Sequence, residues 1–177
     1  SPESKVLIID GDMRSPRVNR LLQLNDTKRN GLSEYLAGID AEPNIEDSIH
    51  DNLKILLSGA QNANSPGLIS STRMKTLMEY CNERFDYVII DTPPVNIVSD
   101  ALSISSLITG MIVVIREEYT EKKELERCFR QLSLSNVNVL GCVMNEAKSG
   151  GSSYSKYRRY RYYRYYRYYY KDEYKAH

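Results

Sequence analysis

The chain has 177 residues, 41% of them apolar, and its 24 Lys or Arg nearly balance 23 Asp or Glu. That suits one domain with a single core plus an appendage; no apolar run approaches the roughly 18 residues of a membrane span and there is no signal-peptide pattern, so the sequence as it stands is expected to be soluble. Cys81, Cys128 and Cys142 are odd in number and scattered, and His50 and His177 are the only histidines, which points to reduced structural thiols and leaves serine-hydrolase, metalloenzyme and redox classes without a residue set.

The chain enters a strongly apolar run almost at once, at Val6, and so reads as a fragment of something longer. Short apolar runs recur at Val6 to Ile9, Leu53 to Leu57, Tyr87 to Ile90, Met111 to Ile115 and Val137 to Met144. Each has the length of a strand buried on both faces. Between them, Ser70 to Arg84, Ser99 to Leu107 and Thr120 to Leu134 show helical spacing and capping residues. Strands alternating with such helices predict βαβ units, hence an α/β fold with a mostly parallel sheet flanked by helices on both faces. Ligands of such sheets collect outside the carboxyl ends of the strands.

Composition changes abruptly at Ser149-Gly150-Gly151-Ser152-Ser153, a hinge by composition. Two regions follow: a domain over residues 1–148 and a tail over 149–177. The tail holds eleven tyrosines, Tyr154, Tyr157, Tyr160, Tyr162, Tyr163, Tyr165, Tyr166, Tyr168, Tyr169, Tyr170 and Tyr174, set among arginines. Without aliphatic neighbours they cannot bury enough surface to offset the entropy of ordering the segment. From Gly150 onward eight basic residues face two acidic ones, near +6; sixteen basic and 21 acidic residues remain before it, near −5. Body and tail are therefore expected to attract each other.

Two of the predicted strands end in aspartate: VLIIDGDMR at Val6 to Arg14 and YVIIDTPP at Tyr87 to Pro94. Asp10 and Asp12, two apart in what reads as still extended backbone, are expected to project to one side, with Gly11 allowing close approach; Asp91 is expected to arrive from a nearby strand. Two carboxylates about 4 Å apart repel by roughly 4 kcal/mol at an effective dielectric near 20, a cost that a cation relieves. Magnesium suits such a site, since it takes a few carboxylate oxygens together with water and phosphate. The other reading of these aspartates is that they cap helices or turn the chain.

VLIIDGDMR resembles the second nucleotide motif, and YVIIDTPPV the Walker B strand, of the bacterial tyrosine kinases that regulate capsule and exopolysaccharide assembly. Gly31-Leu32-Ser33-Glu34-Tyr35-Leu36-Ala37-Gly38, Leu57-Ser58-Gly59, the Ser70 to Met74 helix start, Leu140-Gly141-Cys142-Val143-Met144-Asn145 and the tyrosine cluster agree with that family too. The likeness covers essentially the whole chain. Any single motif also fits the wider partitioning and division-site ATPases, and the tail separates the two. The resemblance implies a P-loop-type fold, ATP and Mg2+ as cofactors, Asp12 and Asp91 on magnesium directly or through water, Asp10 facing the incoming tyrosine, and the eleven tail tyrosines as phosphoacceptors. Arg14 would contact phosphate or a neighbouring subunit, or is a surface arginine in a turn with Pro16. Asn145 would read the adenine edge, or only turns the chain. Implied partners are further copies of the chain, in a ring with each tail in the next active site, a membrane activator at the inner face of the plasma membrane, fused or separate, and a tyrosine phosphatase. No nucleic acid partner is expected.

Two departures stand out. The family's Gly-rich Walker A loop, ending Gly-Lys-Ser or Gly-Lys-Thr one βα unit before VLIIDGDMR, is absent from this sequence, so the fragment alone is expected to bind ATP poorly. Gln61 to Ile69 also lacks the Pro-Pro-Asn-Pro and the acidic residue that many relatives show. Three rivals remain open: a single-stranded nucleic-acid-binding module built on the Arg and Tyr tail, a positioning ATPase whose basic tail touches anionic lipid, and an inactive fragment.

Overall fold

The computed structural model describes residues 3–22, 30–48, 50–95 and 100–147. The central strand β1, Val6–Asp10, pairs in parallel with β3, Leu53–Leu56, on one side and with β4, Tyr87–Asp91, on the other. A short strand β2, Ile45–Asp47, closes the far edge antiparallel to β3, giving the order β2-β3-β1-β4. A second, two-stranded parallel sheet joins β5, Met111–Arg116, to β6, Val139–Asn145. The predicted mostly parallel α/β sheet is therefore present. Among the described residues β4 pairs only with β1 and β5 only with β6.

Period-two alternation decides what covers each face. Leu7 and Ile9 of β1, with Leu56 of β3, turn toward the helices α2, Leu32–Leu36, and α4, Thr72–Asn82, which bring Leu32, Tyr35, Leu36, Met74, Leu77, Met78 and Cys81. The alternate residues Ile8, Ile55 and Leu57 pack with Val18 of α1, Val18–Leu21. Helices thus cover both faces of β1 and β3, as buried parallel strands require. The outer part of that second face stays open: Ile89 of β4 is 55% exposed. In the second sheet, Val113 and Ile115 bury against Cys128 and Leu132 of α6, Lys122–Leu134, while Val114 points away and is 65% exposed.

Strand bounds fall within two residues of those predicted; the helices differ more, for local reasons. Ser71, not Ser70, caps α4: its side chain accepts the Met74 N–H. Ser70 instead closes a short helix α3, Ser65–Ile69, donating its hydroxyl and N–H to the Pro66 carbonyl. The helix predicted at Ser99 to Leu107 is broken into α5, Asp100–Ser103, and a 3-10 turn, Ser105–Leu107. Asn136, in the left-handed region at φ 50°, and the bond from Val137 N–H to the Leu132 carbonyl finish α6 and delay β6 to Val139. The hinge from Ser149 and every tail tyrosine lie outside the described residues, as does the proposed domain boundary.

Candidate active site at the carboxyl edge of β1 and β4

β1 and β4 end in register, Asp10 opposite Asp91. The ladder runs one residue further, because Gly11 N–H donates to the Asp91 carbonyl at 2.8 Å. A Cβ at Gly11 would stand 2.7 Å from that oxygen. Glycine is therefore what lets the two strands stay together to their ends.

Asp10 is 1% exposed. Its Oδ1 accepts the Asp12 N–H at 3.2 Å, and its Oδ2 is buried with no hydrogen-bond partner among the described residues. Burial pushes its carboxyl up to about 6; the Asp12 amide, and the Val18 amide that lies near the carboxyl without closing a hydrogen bond to Oδ2, work against that, and the charges of Asp91 and Asp12 add to it. Asp91, more exposed, is also raised, first by burial and then by the charge of Asp12, with the Thr92 amide opposing. The charge of Asp12 acts on both neighbours, so the three carboxylates form one electrostatic cluster.

β1 stops at Asp10, and the Oδ1 of Asp12, just past the strand end, accepts the N–H of Arg14 at 3.2 Å and of Ser15 at 2.9 Å. Asp12 thus turns the chain there, and its charge acts on both Asp10 and Asp91.

Arg14 emerges from that turn and its Nε donates to Ser65 Oγ at 3.0 Å. Beside it, Asn62 N–H donates to the Met13 carbonyl at 3.1 Å. The loop between β3 and α3 is thereby tied onto the acidic turn. Glu34 anchors the same loop from the other end: Oε2 accepts the Gly31 N–H at 2.8 Å and the Ser33 hydroxyl at 2.9 Å, and Oε1 accepts the Ala60 N–H at 3.0 Å. Partial burial alone would raise Glu34, but the Gly31 and Ala60 amides and the Ser33 hydroxyl outweigh it and hold the group below the ordinary glutamate range. Gly59 sits at φ 78° against this carboxylate, where a Cβ would fall 1.9 Å from Oε2.

Sequence reasoning missed Glu34 and Ser65. Glu34 had a signal, since a glutamate three residues past Gly31 at a helix start is half of a capping box. Ser65, 51 residues from its partner, had none.

Asn145 ends β6 in the second sheet, opposite Arg116. Its Oδ1 accepts the Glu146 N–H at 2.9 Å and its carbonyl the Glu117 N–H at 3.0 Å. Glu146, at φ 54°, pairs with Arg116. Asn145 is thus engaged in a turn and is bonded to none of the three aspartates among the described residues. A shallow concavity lined by Glu3, Ser4, Asp86 and Tyr87 lies at the opposite, amino-terminal ends of β1 and β4.

A parallel α/β sheet with carboxylates gathered at its carboxyl edge is the architecture that takes ligands at its strand ends, and the solved structures it superposes on give it a P-loop-type fold. No family model matches the chain. Individual relatives do. It is 35% identical over 153 residues to the tyrosine-protein kinase ptk of Acinetobacter johnsonii, a match that spans 86% of this chain and 21% of that protein. Among solved structures, the kinase domain of the Escherichia coli tyrosine kinase ETK superposes with a TM-score of 0.73 at 32% identity, over 85% of this chain and 60% of that one. The septum site-determining protein MinD of Pyrococcus horikoshii, solved with Mg-ADP, gives a TM-score of 0.64 at 19% identity over 85% of this chain and 61% of that one, a likeness of fold alone. The chain belongs to the bacterial tyrosine kinase family. It spans about a fifth of the Acinetobacter relative's length.

Proposed function

We propose that the chain supplies most of the catalytic domain of an ATP-dependent protein-tyrosine kinase, which phosphorylates its own tyrosine-rich terminus and regulates capsular or exopolysaccharide synthesis and export. The observation that carries this reading is the in-register pairing of Asp10 and Asp91 beside Asp12, with one buried oxygen of Asp10 unpartnered. Similarity to two tyrosine kinases at 32–35% identity supports the transfer chemistry over a positioning ATPase, whose likeness is in fold only.

The residues fit a magnesium nucleotide. Among the described residues no group of three or more His, Cys, Asp or Glu forms a metal cage, and magnesium needs none, since it binds through one or two carboxylates, waters and substrate phosphate. Asp12 and Asp91, the more accessible pair, would hold it. When bound, it would neutralise charge on the phosphoryl group in transfer. The chain's own residues then position the reactants. A carboxyl near 6 and a phenol near 10 differ by about four units, or ~5 kcal/mol, so Asp10 orients the tyrosine hydroxyl rather than removing its proton beforehand. A loose transition state asks for little more. Asp10 is 1% exposed, so a phenol reaches it only if the surrounding chain moves. Arg14 would contact the phosphates, and Asn145 would read the adenine edge, which requires its turn bonds to be exchanged.

The resemblance supports a homo-oligomeric ring, a membrane activator and an opposing phosphatase as partners. No helix among the described residues is long and apolar enough to cross a membrane. By the same resemblance, attachment to the inner face of the plasma membrane would come through the activator, fused or separate. The test uses the full-length protein with its own phosphate loop. ATP and Mg2+ should label tail tyrosines, and Asp10→Asn or Asp91→Asn should cut labelling at least a hundredfold, in line with the loss of a group that stabilises transition-state charge. Undiminished labelling in both variants would refute the site.

A further inference from the structure

We infer that Ser65 is a positioning residue for the phosphate side of this site, acting through Arg14; the inference rests on the kinase reading above. Ser65 is fully buried at the start of α3, and its Oγ accepts from Arg14 Nε at 3.0 Å. Asp12 fixes the Arg14 backbone through the bonds to Arg14 N–H and Ser15 N–H. Ser65 fixes the far end of the same side chain. Two short segments, 51 residues apart, thus hold one arginine at both ends, and the bond from Asn62 N–H to the Met13 carbonyl keeps the segments together.

An arginine that is to meet phosphate gains from an orientation set beforehand, since orientation achieved before binding is entropy not lost during it. Burial of Ser65 gives the bond its directional strength, because water does not compete for the hydroxyl.

Four variants of the full-length protein decide the matter: Ser65→Ala, Ser65→Cys, Arg14→Lys and Ser65→Ala with Arg14→Lys. The dissociation constant for Mg-ATP is measured directly, alongside KM and kcat for tail phosphorylation. Loss of one hydrogen bond of this kind predicts a rise in KM and Kd of about three- to tenfold, with a smaller change in kcat. Ser65→Cys, which keeps the volume and loses the strong acceptor, should behave like Ser65→Ala. In the Arg14→Lys background, Ser65→Ala should change Kd by less than about twofold, since the partner is already gone. Equal effects of Ser65→Ala in both backgrounds would overturn the inference, as would a lowered thermal midpoint with unchanged Kd and KM. If Asp91→Asn leaves tail labelling intact, the kinase reading falls separately, and the Mg-ATP Kd series still decides the role of Ser65.

Discussion

Asp10 is the residue where stability and function pull apart. A buried carboxyl that titrates near 6, against about 3.9 in the unfolded chain, keeps its proton more tightly when folded. The folded state therefore binds more protons than the unfolded one between about pH 4 and pH 6, so stability falls as pH rises through that window and levels off above it. Two units correspond to on the order of 3 kcal/mol. Asp91 is raised as well and slopes the same way. The Asp10→Asn variant should accordingly be more stable than the wild type at pH 7 and should lose most of this slope, while its kinase activity disappears. Urea denaturation of both proteins between pH 4 and pH 7.5, without nucleotide, checks it; parallel curves for the two would show that Asp10 is charged and compensated at neutral pH. A site that destabilises its own fold is the usual cost of holding charge ready for a ligand.

At the level of elements, the acidic turn rests on a relay of short segments: α2 holds Glu34, Glu34 holds the loop at Ala60, and that loop holds Met13 and Arg14. Glu34 is only partly buried, so its bonds are discounted for solvent. Glu34→Gln should still cost about 1–2 kcal/mol, read as a lowered urea midpoint with unchanged m-value. The pH dependence runs opposite to that of Asp10. A depressed carboxyl stabilises above its ordinary value near 4.3 and loses that contribution as pH falls through its folded value, so the wild type should lose its advantage over Glu34→Gln in acid.

The same elements show what a sequence discloses. Short apolar runs announced β1, β3 and β4, because a strand buried on both faces leaves little choice of residue, and the aspartates that end β1 and β4 announced the site at their carboxyl edge. β2 went unseen: Ile45-Glu46-Asp47 has one apolar residue, and only its pairing with β3 makes it a strand. The bonds from the Arg14 and Ser15 amides to Asp12, which bend the chain just past β1, left no sign in the residue pattern, because two aspartates around a glycine fit more than one local shape. Ser65 was invisible because its partner is far along the chain.

For the whole molecule, charge separation is the organising fact. The body is near −5 and the tail near +6, and each phosphotyrosine adds about −1.5 to −2. Three or four phosphates cancel the tail's charge, and more reverse it. Unphosphorylated full-length protein should therefore assemble, and the phosphorylated form should sediment as smaller species. A difference that persists in 1 M salt would point away from this electrostatic cause. The unpaired outer edges of β4 and β5, with Ile89 and Val114 exposed near them, mark where these described residues leave the sheet open.

Mapping phosphotyrosine by mass spectrometry over Tyr154 to Tyr174, in full-length protein from its own host and in its Asp91→Asn counterpart, is the decisive measurement. The carboxylate cluster predicts several modified tail tyrosines in the wild type and none above background in the variant. A wild-type tail without phosphate under conditions of polysaccharide synthesis, or an equally modified one in Asp91→Asn, would contradict it.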